Sequence, residues 1–191
     1  MFLASRHGAI ELTAESLNNG KQRVTVREAI SHLPPLKAGE SDPTDPLHAA
    51  CRLSPLNLRR IRASKPGGTW RDWKNSLVAK CHRRKTGKTY PSVYGRMRWD
   101  MPAPTITTQC FGYGNGRFGH PEQDRAITLR EAAVLQTFPS SYRFLPKGKR
   151  PCFSVIGRLI GNAVPVRLGE IVAECLVAHI KTFAKQEVSR V

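Results

Sequence analysis

The residues able to do chemistry in this chain fall into two groups, thiols and cations. Five cysteines occur, at positions 51, 81, 110, 152 and 175. A thiolate can attack carbon or bind a metal, but no two of these stand in a Cys-x-x-Cys spacing. Cys81-His82 has no second such pair, so the spacing writes no zinc site and free thiols are expected. The cations are clustered. Residues 58–100 hold 13 basic and 2 acidic side chains, whereas residues 1–57 are balanced at 6 and 6. Lys and Arg neutralise phosphates and release counterions, and Arg can fork onto guanine edges. The candidates are Arg59, Arg60, Arg62, Lys65, Arg71, Arg83 and Arg84. Gly67-Gly68 would let backbone amides approach a phosphate. Trp70 and Trp73, interleaved with the cations, can stack on a base or wedge into a step; a satellite core is the reading favoured for the pair. Arg96 and Arg98 alternate along an expected strand and would share one face, suited to DNA or to a carboxylate such as Asp100 or Glu131.

Behind these residues must stand elements that position them. The chain has 191 residues and a formal net charge of +17. That length allows one ordinary domain or two small ones. Hydrophobic residues make up 40% and charged residues 24%, which excludes a wholly disordered, collagen-like or coiled-coil chain. No run of 18 apolar residues exists to span a membrane. The excess of positive charge points to a polyanion, with nucleic acid as the expected partner. Met1 to Ser5 reads as a short buried strand, as though cut from something longer. Thr25-Val-Arg-Glu28 and Thr128-Leu-Arg-Glu131 both fit the capping box, predicting helices through Leu33 and to about Thr137. Leu53 to Ile61 reads as a short helix, and residues 37–50 as loop. Pro165 suits the first turn of a long helix, with an apolar stripe at 168, 172, 176 and 180.

From residue 91 a more specific pattern emerges. Ser92-Val-Tyr-Gly-Arg96, Pro102-Ala-Pro-Thr105-Ile106, Gly116-Arg-Phe-Gly-His-Pro-Glu122, Thr128 to Pro139 and Gly161-Asn-Ala-Val-Pro165 follow in order. This set resembles the C-terminal part of bacterial DNA (cytosine-5)-methyltransferases. Residues 128–139 resemble the family's ninth motif, 161–165 its tenth, and 91–122 the end of its target-recognition region, with Thr105-Ile106 matching a Thr-Ile or Thr-Leu dipeptide. Met1–Gly8 resembles the strand after the eighth motif. The resemblance implies an α+β fold in three parts: residues 1–13 as a strand of the catalytic domain, 14–125 as the DNA-recognition region, and 126–191 as helices packing on that catalytic domain. The whole would complete an α/β methyltransferase domain that uses S-adenosylmethionine. Thr105 would offer a hydroxyl beside an extruded nucleotide, or else be a buried strand residue. Arg130 and Glu131, with Gln136 and Pro139, would organise the recognition region against the catalytic domain. Gly161, Asn162 and Ala163 would touch the cofactor, Asn162 through its amide. Ala163 stands where the family often has Ser.

The family's early motifs are missing from these 191 residues. Neither the glycine-rich cofactor loop nor the Pro-Cys-Gln nucleophile is present. The one Pro-Cys, Pro151-Cys152, is followed by Phe153 in the wrong place, so Cys152 is expected to be a buried structural thiol. The resemblance therefore implies a double-stranded DNA partner, a separate chain carrying the catalytic half, and no activity alone. It also implies a bacterial or phage protein of the cytoplasm, associated with the nucleoid. A non-catalytic DNA-binding module and a truncated remnant are the alternative readings.

Overall fold

A computed structural model of the chain describes residues 2–5, 8–11, 23–146 and 148–188. The first nine residues of the expected recognition region, 14 to 22, lie outside them. The chain divides into two compact units, Val24–Ala163 and the two ends together, Met1–Arg23 with Val164–Val191.

In the unit of the two ends, β1 (Phe2–Ser5) pairs antiparallel with β2 (Gly8–Glu11), Phe2 opposite Glu11 and Ser5 opposite Gly8. The first strand was expected and the second was not. The long helix runs Val166–Val188. Pro165 precedes it and accepts from the Leu168 and Gly169 N–H groups, which suits a residue with fixed φ and no donor of its own.

The larger unit holds five α-helices among the described residues, besides three short 3-10 turns. α1 spans Val26–Ile30, α2 Pro55–Arg62, α3 Lys80–Arg83, α4 Leu129–Leu135 and α5 Phe153–Asn162; the C-terminal helix is α6. Both expected capping boxes form. Thr25 Oγ1 and Thr128 Oγ1 accept from the N–H groups of Glu28 and Glu131, whose carboxylates accept in return. The reciprocal bonds satisfy donors that a helix start leaves orphaned. Helix α5 was not expected from the sequence.

Among the described residues of this unit no regular strand forms. Instead, isolated bridges join Pro66 to Arg96, Arg96 to Gly119 and Gly119 to Ala126. The expected strand carrying Arg96 and Arg98 is thus a single bridged position. Two apolar clusters hold the unit together. The larger joins Ile30 of α1, Met97, Phe118, Ala132 of α4 and Ile160 of α5. The smaller joins Ile61, Trp70, Trp73, Tyr113 and Ala126. The compact unit runs straight across residues 125 and 126, where the resemblance places a boundary. The His48 ring shows how. Its Nε2 lies 2.8 Å from the Pro34 carbonyl, which can only accept, so Nδ1 is left to accept from the Thr128 hydroxyl 3.0 Å away.

Candidate nucleic-acid interface

The basic stretch is built on the smaller apolar cluster. Pro55 in the first turn and Ser54 at the N-cap start α2, and the helix then carries Arg59, Arg60 and Arg62 to its far end. There cations face the negative end of the helix dipole. Ser64 follows as a hub: its hydroxyl donates to Arg60 O or shares a proton with Tyr113 OH, and it accepts from Trp73 Nε1 at 2.8 Å. Trp70 stacks on His82 at 4.5 Å and donates Nε1–H to Tyr90 O. Both indoles are buried. They are core, as favoured from the sequence, and their N–H groups find acceptors, as buried indoles require.

This packing sorts the arginines. Arg59, Arg62, Lys65, Arg71, Arg83, Arg84 and Arg98 are exposed. Arg59, Lys65 and Arg84 make no ion pair among the described residues. Arg62 reaches Asp124 at 3.1 Å, and Arg98 forks onto Asp100 at 2.7 Å, the carboxylate partner that its position suggested. Arg71 donates to Lys88 O and Arg83 to Asn75 O, which pins their stems while leaving their charges facing solvent.

Two arginines read as DNA contacts lie inside instead. Arg60 donates to Leu77 O and Asn57 Oδ1 and lies over the Trp73 and Tyr94 rings. Arg96, 5% exposed, donates to the carbonyls of Ile61, Ser64, His120 and Gln123 and to Asp124. It shares no face with Arg98. The reason is its place at the centre of the bridge ladder, where converging turns bring four backbone carbonyls together and the Ser64 and His120 carbonyls receive no backbone N–H. Ile106 is likewise core, 4% exposed, while Thr105 beside it is exposed. The Gly67 and Gly68 amides are not available to a phosphate either: they donate to Arg96 O and Lys65 O. Gly67 is needed for its φ of +76°, which side chains rarely adopt.

The ninth-motif residues tie this region to α4. Arg125 and Glu131, both under 2% exposed, form a fork with two bonds of 2.7 Å. Burial works against the Glu131 charge, but the Arg125 fork outweighs it and holds the carboxyl below its usual range. Arg130 grips Asp45 and donates to Tyr142 O. Gln136 Nε2 donates to Ala163 O at 2.7 Å, linking α4 to the end of α5. The exposed Pro139 accepts from Tyr142 N–H. Arg125 and His120 were missed in the sequence, because a single Arg or His without a spaced partner carries no signal. Burial pushes the His120 ring down to about 4, and its Nδ1 already accepts from the Glu122 and Gln123 N–H groups.

At the tenth motif, Gly161 serves packing. A side chain there would collide with the backbone of Thr107 and Thr108. With Ala163 O taken by Gln136, only Asn162 turns a side chain to solvent. Cys152 is exposed rather than buried. It is the N-cap of α5, and the Ser154 hydroxyl beside it holds its thiol below the usual range. Burial pushes Cys110 and Cys51 up to about 11. No cluster of metal-binding side chains occurs among the described residues, nor does any described helix have the length and apolarity to cross a membrane.

The profile of the C-5 cytosine-specific DNA methylases matches residues 7–178. The chain belongs to this family. Its enzymes are DNA (cytosine-5)-methyltransferases whose methyl donor is S-adenosylmethionine. The Type II methylase M.HgiDII of Herpetosiphon aurantiacus is 50% identical over all 191 residues, which cover 53% of its length. Type II methyltransferase M1.BsuMI of Bacillus subtilis is 46% identical over 99 residues, 52% of this chain and 22% of the relative. Type II methyltransferase M.AquIB of Picosynechococcus is 33% identical over 135 residues, 68% of this chain and 85% of the relative. The chain thus spans about half the length of M.HgiDII, and most of the length of M.AquIB.

Proposed function

We propose that this chain is the recognition and tail portion of a DNA cytosine-5 methyltransferase. It grips double-stranded DNA and acts with a polypeptide that carries the cofactor loop and the nucleophile. The observation that carries this reading is the exposed set Arg59, Lys65 and Arg84, on a stretch holding 13 basic and 2 acidic residues, within a chain of this family. Methylation at carbon 5 acts on a base swung out of the duplex, so backbone and neighbouring bases must be held while the base is extruded. Exposed cations supply that hold, and the buried Arg96 and Arg125 keep their platform rigid.

Two features support a second polypeptide. The Pro-Cys-Gln and glycine-rich motifs are missing from the 191 residues. Helix α5 also leaves Val155 and Leu159 exposed, at 43% and 54%, a face suited to apolar cover. In the assembled enzyme the exposed Asn162 would help hold S-adenosylmethionine, which would supply the methyl group, and this chain would contribute the DNA grip. M.AquIB, most of whose length the chain covers, is a relative of similar extent. The test incubates labelled S-adenosylmethionine and duplex DNA with the chain alone, then with a polypeptide carrying the early motifs. Methyl transfer only in the mixture is expected; transfer by the lone chain defeats the proposal. DNA binding with no transfer in the mixture leaves the non-catalytic module as the better reading.

A further inference from the structure

Arg117 was not a candidate from its sequence position, yet the structure leaves it in an unusual state. Its Nε is shielded from solvent and has no hydrogen-bond partner among the described residues. A buried donor without an acceptor is destabilising, because its lost hydration is not replaced. The other buried arginines of this unit show the contrast: Arg96 and Arg125 bond through every nitrogen. Arg117 as a whole is half-buried, so its remaining exposure lies on atoms other than Nε.

Its neighbours point to what ligand those atoms meet. A methyl group at Gly95 would lie 2.8 Å from Arg117 Cγ and 2.8 Å from Gly68 O. A methyl group at Gly67 would lie 2.7 Å from Arg98 Cδ. The stems of Arg98 and Arg117 therefore flank one turn, Gly67-Gly68, and Lys65 opens that turn by accepting the Gly68 N–H. Missing Cβ atoms on both sides let the two stems lie against the backbone. Of the nearby carboxylates, Asp100 is forked by Arg98 and Asp72 accepts from Thr69 N–H. Lys65 and Arg117 make no ion pair among the described residues. An oxyanion with two free oxygens accepts from two N–H groups of one guanidinium together.

We infer that Arg117 is a backbone-phosphate contact of the DNA, held against the Gly67-Gly68 turn with Lys65 and Arg98 beside it. This rests on the DNA-gripping function proposed above and names the group that anchors it. The contact is to phosphate, so it sets register on the duplex and carries no sequence information.

The test measures binding of the full chain to a mixed-sequence 30-base-pair duplex across a salt series, for wild type, Arg117→Ala, Arg117→Lys and Arg59→Ala. The expected result for Arg117→Ala is binding weakened about tenfold at low salt, with the slope of log K against log salt reduced by about one. Arg117→Lys should restore the slope yet bind several-fold more weakly than wild type, because a point charge replaces the fork. Wild-type affinity and slope in Arg117→Ala, with Arg59→Ala weakened, overturn the phosphate contact and leave the DNA-gripping function standing. Failure of the wild-type chain to bind at low salt overturns both. Should Arg117→Ala not fold, Arg117→Lys decides, and wild-type binding by it overturns the assignment.

Discussion

Replacing Arg96 separates a structural arginine from a DNA-binding one. Its guanidinium accounts for four backbone carbonyls and the Asp124 carboxylate, at distances of 2.5–3.2 Å. Arg96→Ala strips partners from buried carbonyls, each worth about 1–3 kcal/mol when left unmet. Two of these keep an amide partner, Ile61 O from Ser64 N–H and Gln123 O from Arg125 N–H, and Asp124, at 40% side-chain exposure, keeps Arg62. The net cost is therefore set nearer that of breaking one buried charged network, about 3–5 kcal/mol. For a chain of this size that lowers the melting midpoint by about 6–20 °C. Thermal denaturation followed by circular dichroism reads it directly. A surface phosphate contact would behave oppositely, with an unchanged melt and a weaker, less salt-dependent grip on DNA. An Arg96→Ala protein that melts within about 0.5 kcal/mol of wild type refutes the structural role argued from the buried network.

Three further outcomes follow from the same unit. Glu131→Gln should lose about 3–5 kcal/mol by leaving the Arg125 charge buried and unpaired, whereas Arg125→Met with Glu131→Leu should recover much of it; chemical denaturation of both compares them. His120 stays neutral when folded down to about 4, while an unfolded His takes up its proton near 6.5. Stability should therefore fall as pH drops through that window, by up to about 3 kcal/mol. His120→Asn should flatten the pH dependence between 5 and 7, and an unchanged slope there would count against the buried neutral ring. Thr137 sits at φ +65°, closing α4 in a Schellman turn in which its own N–H reaches Val134 O and the Phe138 N–H reaches Ala133 O. Glycine is the usual residue at that position. Thr137→Gly relieves the strain of that φ but gives up the side chain's own contact and loosens the unfolded chain, so a denaturation midpoint within about 1 kcal/mol of wild type is expected; a larger loss would mean that the contact outweighs the strain.

Some of this molecule was legible without coordinates because the signals are local. Each capping box needs only Thr and Glu three residues apart, so Thr25 and Thr128 mark helix starts wherever the chain goes. The long C-terminal helix follows from Pro165 and a repeating apolar stripe. The concentration of positive charge and the order of the late motifs are properties of the chain itself, and they led to the family. Helix α5 was hidden, because Phe153 to Asn162 opens on Cys152 without a side-chain cap bond and contains two glycines. Its formation is decided by Ile156 and Ile160 packing in the larger core.

What only the tertiary structure decided is which charges are surface and which are scaffold. In sequence, Arg59 and Arg60 are neighbours of one type, as are Arg96 and Arg98 two positions apart. One of each pair is solvated and the other is buried under carbonyls donated by segments up to 35 residues away. That division depends on where the turns bring backbone acceptors together, and no residue spacing records it. Sequence alone established a basic chain with the late motifs of a cytosine-5 methyltransferase. The fold then assigned Arg96 and Arg125 to the scaffold and Arg59, Lys65 and Arg84 to the surface, because a buried guanidinium persists only where its donors are met.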